Sequence, residues 1–114
     1  MAEPLRGEVW FADLGQPTGR EMAMQRPVVI VKEDAANAPN LTIVVPLTSQ
    51  PQRRQPAVTV DVPAGEGGLR QDSVALCYNI RVLDTAKLSH RMGQVNDARL
   101  AEIADSLSFV LGLG

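Results

Sequence analysis

Eight prolines and nine glycines are scattered through this 114-residue chain and cut almost every apolar run short. Proline breaks the interior of a helix and glycine weakens it. Short apolar runs bounded by such residues read as strands. One stretch near the C-terminus escapes the punctuation. From Asn96 onward, Leu100, Ile103, Ala104, Leu107 and Leu111 recur at spacings of three and four, the signature of a one-sided helix. Asn96 suits the N-cap, Asp97 sits at the positive end of the helix dipole, and Gly112 and Gly114 end the element. The expected class is therefore α+β: a twisted, mostly antiparallel sheet or small barrel with a C-terminal helix packed on it.

The strands follow from the pattern between the breakers. Gly7 to Leu14 reads as the first, and Gln16 to Gln25, with Pro17, Gly19, Met22 and Met24, as a long loop whose methionines could cover a site. Val28 to Val31 is continuously apolar, as in a strand covered on both faces. A turn region spans Lys32 to Asn40. In Leu41 to Thr48, Leu41, Ile43, Val45 and Leu47 share one face and Thr48 faces away from it, while Pro46 suggests an edge or a bulge. Val58, Val60 and Val62 mark another strand, and Gly65, Gly67 and Gly68 a turn. Asp72 to Leu83 reads as one longer β run, with Cys77 a small buried residue inside it, and Lys87 to Val95 as a short element.

The length suits one domain over residues 1–114, with a radius of gyration near about 13 Å. At 45% hydrophobic and 21% charged residues the composition is that of a globular protein. No apolar run reaches the roughly 18 residues of a transmembrane helix, and Met1 to Leu5 lacks a secretory pattern. A lone cysteine excludes an internal disulfide and a cysteine-built metal site, which points to the cytoplasm. The net charge of -2, from 11 basic and 13 acidic residues, argues against a broadly basic nucleic-acid binder but leaves room for a local basic cleft.

Four stretches together resemble the MazF/PemK toxin family of bacterial toxin–antitoxin systems. They are Arg6-Gly7-Glu8-Val9-Trp10; Gly19-Arg20-Glu21 followed by Arg26-Pro27-Val28; Pro46-Leu47-Thr48-Ser49-Gln50; and Asp72-Ser73-Val74-Ala75-Leu76 with Asn79-Ile80-Arg81 and the helix from Asn96. The resemblance runs through nearly the whole chain with the motifs in order. It implies a fold related to SH3-like barrels and a homodimeric, sequence-specific ribonuclease. Such an enzyme cuts single-stranded RNA without a metal or other cofactor, and a cognate antitoxin inserts an extended acidic tail into the RNA groove. It also implies that Arg26 and Thr48 are the catalytic pair.

The chemistry of these residues fits. Attack by a ribose 2′-OH on the adjacent phosphorus leaves a 2′,3′-cyclic phosphate and a 5′-OH, and needs stabilised phosphoryl charge and two moved protons. Arg26 offers a planar fork of donors, and Thr48 a hydroxyl that could donate to a nonbridging oxygen. Arginine is an awkward base, so the general base stays open. Glu21 could hold Arg26, accept from a base or the 2′-OH, or merely pair with Arg20. Ser49, Gln50, Arg53 and Arg54 form a basic loop that either grips phosphates or is simply solvated. Tyr78 and Asn79 stand where several family members carry an acidic residue and Gln, which weakens a carboxylate-base mechanism there. Tyr78 could stack on a nucleobase or pack across strands. Arg81 joins the substrate-binding candidates. His90 lies outside these motifs and reads as a surface or supporting histidine, and Asp72 and Asp84 have no metal-ligand spacing. The alternative, a non-enzymatic CcdB-like gyrase poison of the same fold, relies on an aromatic-bearing C-terminus, whereas here the last residues are Val110-Leu111-Gly112-Leu113-Gly114.

Overall fold

The computed structural model describes residues 3–15 and 25–114, and among them seven strands and one α-helix form. In chain order these are β1 (Glu8–Asp13), β2 (Gln25–Ile30), β3 (Leu41–Thr48), β4 (Thr59–Val62), β5 (Ser73–Leu76), β6 (Arg81–Asp84), β7 (Leu88–Gln94) and α1 (Asp97–Val110). Every pairing is antiparallel. The strand order is β4-β5-β3-β2-β1-β7, with β6 also paired to β3, so the expected α+β class and C-terminal helix hold. The radius of gyration is 12.9 Å.

β3 is the hub. One of its edges carries β2, with Val28 opposite Pro46 and Ile30 opposite Val44. The other edge changes partner along its length, pairing Leu41–Val44 with β6 and Leu47–Thr48 with β5. Pro46 therefore marks neither a sheet edge nor a bulge. It is fully buried in a central strand, and it falls in the gap between β6 and β5, where its missing N–H leaves no ladder bond unmade.

The alternation of side chains gives the sheet two buried faces. Val9, Val29, Val45, Leu47 and Ala75 pack with Ile103 and Leu107 of α1. Trp10, Ala12, Val28, Ile30, Val44, Leu83 and Leu88 form a second cluster. The apolar run from Val28 is thus covered on both sides, as expected, and each such side chain contributes about 1.5–3 kcal/mol through burial. The Asn96 side chain caps α1, accepting from the Arg99 N–H at 2.7 Å. Leu111, expected on the buried stripe, lies past the helix end and is exposed.

The run from Asp72 to Leu83 is not one strand. After β5 a single 3₁₀ turn, Cys77–Asn79, redirects the chain into β6. The Tyr78 N–H donates to the Val58 carbonyl rather than to a continuing ladder. This break lets β5 and β6 serve two successive halves of β3. Cys77, expected within a strand, is fully buried in that turn, where burial raises its thiol pKa and a hydrogen bond with Ser106 opposes the rise.

Candidate functional site

Arg26 and Thr48 sit at the meeting ends of two neighbouring strands. Arg26 is the second residue of β2 and Thr48 the last of β3. The pairing of Val28 with Pro46, carried two residues further, sets Arg26 across from Thr48 on the same side of the sheet. The Arg26 Nη1 donates to the Leu47 carbonyl at 3.3 Å, which holds the guanidinium over the end of β3. Thr48 is only 3% exposed, and its Oγ1 accepts from the Gln50 N–H at 3.2 Å. A hydroxyl that accepts in this way keeps its own hydrogen to donate.

Both residues line a cleft of about 490 Å³ floored by Leu47, Leu69 and Met92. Gln25, Arg70 and Gln71 bring polar groups to its walls, and Phe11, Pro27 and His90 bring rings. Among the described residues no carboxylate lines it. Arg70 is exposed and has no ion-pair partner among them. Burial first, and then the like charge of Arg53, lower the pKa of the Arg26 guanidinium from its usual value. Among the described residues the cleft's lining carries Arg26 and Arg70, in a chain of net charge -2.

The remaining candidates divide. The 3₁₀ turn Pro51–Arg53 brings Arg53 close enough to act on Arg26, and Arg53 Nη2 donates to the Tyr78 hydroxyl at 3.4 Å. Ser49 lines the cleft, and Gln50 positions Thr48 through its backbone. Arg54 points elsewhere, its Nε donating to the Asp61 carboxylate of β4 at 2.8 Å beside a neighbouring hollow of about 400 Å³. Ser49 and Ser73 line both hollows. Tyr78 is 41% exposed beside the half-buried Asn79, in the turn after β5. Arg81, at the start of β6, donates from Nη2 to the Leu14 carbonyl at 3.3 Å and does not line the cleft. Glu21, Met22 and Met24 lie outside the described residues.

Sequence reasoning missed Phe11, Arg70 and Met92, and it set His90 aside as a surface or supporting histidine, whereas all four line the cleft. Arg70 and Gln71 do stand directly before the Asp72-Ser73 motif, which was a usable signal. His90 and Met92 are two apart on β7, but which strand lay beside them was not legible. Among the described residues no group of three or more His, Cys, Asp or Glu side chains is placed to hold a metal ion. No helix among them is long and apolar enough to cross a membrane.

Residues 5–111 match the family model described as PemK-like, MazF-like toxin of type II toxin-antitoxin system. Endoribonuclease EndoA of Bacillus subtilis strain 168 is 32% identical over 109 residues, spanning 95% of this chain and 94% of that protein. Endoribonuclease MazF of Staphylococcus saprophyticus is 31% identical over 109 residues, spanning 95% and 91%. Among solved structures, an endoribonuclease in complex with its cognate antitoxin from Mycobacterial species superposes with a TM-score of 0.80 at 28% identity, covering 98% of each chain.

Proposed function

The chain belongs to the PemK/MazF family of type II toxins, and from that membership we propose an endoribonuclease that cuts single-stranded RNA at short sequences by internal 2′-OH attack. The observation that carries this reading is the juxtaposition of Arg26 and Thr48 at one end of a cleft free of described carboxylates. Arg26 stabilises the charge that builds on the phosphoryl oxygens in the transition state. Its depressed pKa also makes it a better proton donor to the departing 5′-oxygen. Thr48, with Oγ1 already accepting from Gln50, donates to a nonbridging oxygen. Arg53 and Arg70 hold the flanking phosphates, and Ser49 offers a further hydroxyl.

The same positive cleft suits the extended acidic tail of a cognate antitoxin, whose carboxylates would occupy the phosphate positions. Two copies of the chain form the working unit, since a symmetric pair lengthens the groove and covers the exposed Phe109 of α1 and Leu113 beyond its end. The cytoplasm is where both partners would meet it. A CcdB-like gyrase poison is not favoured, because relatives matching 95% of the chain are named endoribonucleases.

The test is incubation of the purified protein with structureless RNA in excess EDTA, followed by end analysis. Cuts at short sequences, leaving ends that polynucleotide kinase labels without prior phosphatase, are expected. Absolute dependence on added Mg²⁺, or 5′-phosphate ends, would overturn the mechanism.

A further inference from the structure

Three ring-bearing side chains lie in one transverse row across the sheet. Phe11 of β1 is registered with Pro27 of β2 on one side and with His90 of β7 on the other. All three line the cleft that holds Arg26 and Thr48. The Phe11 and His90 rings are stacked, with centroids 5.5 Å apart and planes 23° from parallel. Phe11 is half-buried and His90 exposed, so the imidazole is the outer ring of the pair. On its own strand, Nδ1 shares an exposed hydrogen bond with the Ser89 hydroxyl at 3.1 Å. Nε2 has no partner among the described residues. At its other end the row is one residue along β2 from Arg26.

We propose that the Pro27–Phe11–His90 row is a nucleobase platform, on which the base of a nucleotide flanking the scissile phosphate stacks against His90. Every base has a π face, and a ring held rigid by a second ring loses little freedom when a base lands on it. Adjacent strands lie about 4.8 Å apart, so the row extends about 10 Å from Pro27, a lateral reach suited to a base splayed away from a phosphate at Arg26. The inference rests on the RNA-cleaving reading and adds which residues receive a base.

The experiment uses a single-stranded oligonucleotide containing the cleaved sequence, made uncuttable by one 2′-deoxy nucleotide at the scissile position, with binding followed by fluorescence anisotropy. His90→Ala should weaken binding by roughly tenfold, the scale of a lost base–aromatic stack. His90→Phe should keep it within about twofold. When bases are removed one at a time, a single abasic position should abolish the difference between His90→Ala and the wild type. The thermal transition of each variant confirms folding, and His90 is exposed, so neither change should move it by more than a few degrees. Wild-type binding by His90→Ala would overturn the platform, as would an equal penalty at every abasic position. Failure of His90→Phe to restore binding would assign His90 a hydrogen-bonding or proton-transfer role instead. A wild-type protein that cuts RNA while the platform fails leaves the ribonuclease reading standing; one that neither binds nor cuts RNA sinks both.

Discussion

Arg26 shows how one side chain can be prepared by its neighbours. Its anchor is a carbonyl on the next strand, and burial together with Arg53 lowers the pKa of its guanidinium. Replacing it with alanine should cost at least about 10²-fold in cleavage rate while the thermal transition barely moves. A loss of less than a few-fold would remove Arg26 from the chemistry. Thr48→Val keeps the shape but deletes the hydroxyl, and about a tenfold or greater loss in rate is expected. Glu8 acts on stability instead. Its carboxylate accepts from the Leu5 N–H at 2.8 Å, the Trp10 indole at 3.0 Å and the Arg91 guanidinium at 2.8 Å. Burial alone would raise its pKa, and these three donors outweigh that, so the net shift is downward. A depressed carboxylate pKa stabilises the fold above the unfolded value of about 4.3 and loses that contribution as pH falls through the folded value. Denaturant titrations should therefore show Glu8→Gln less stable than wild type at pH 7 by about 1–3 kcal/mol, with the gap closing toward pH 3.

At the scale of elements, what could be read in advance was local and what could not was pairing. The alternation in Leu41 to Thr48 marks β3 to the residue, and Asn96 marks the start of α1. Pro46 was misread because its meaning depends on the change of partner from β6 to β5, a property of two distant segments. The turn at Cys77–Asn79 was hidden for the same reason, since Leu76, Cys77 and Tyr78 have nothing against strand conformation in themselves. Arg26 and Thr48 were legible through their motifs, whereas His90 entered the cleft only through its register with Phe11. Gly93 offers a test of how tightly β7 is seated. A Cβ added there would come within 2.7 Å of the Gly67 carbonyl carbon and 2.9 Å of the Gly68 nitrogen, both backbone atoms. Gly93→Ala should lower stability by about 1–3 kcal/mol, read from urea midpoints, and weaken RNA binding with it by shifting His90 and Met92. An unchanged midpoint would mean that the turn at Gly67 moves freely.

The whole molecule carries a net charge of -2 yet lines one cleft with Arg26 and Arg70 and keeps Arg53 close to Arg26. If Arg26, Arg53 and Arg70 each contact one phosphate, the logarithm of the single-strand binding constant should fall against that of salt with a slope of about -2. Anisotropy titrations between low and moderate KCl measure it, and a flat response would deny the phosphate contacts. Sedimentation should give a particle of twice the 12.3 kDa chain mass at micromolar concentration, and a monomer there would refute the paired arrangement. Assembly of the sheet also has a temporal side. β1, made first, finds one of its two neighbours in β7, with Glu8 registered to Gln94. Contacts so distant along the chain put folding on a timescale of milliseconds to seconds. While the chain is being synthesised, Arg26 and Thr48 leave the ribosome long before β7, which bears His90 and Met92, exists. A protein that cuts RNA is translated from RNA, and this order of assembly withholds the finished cleft until β7 has been made.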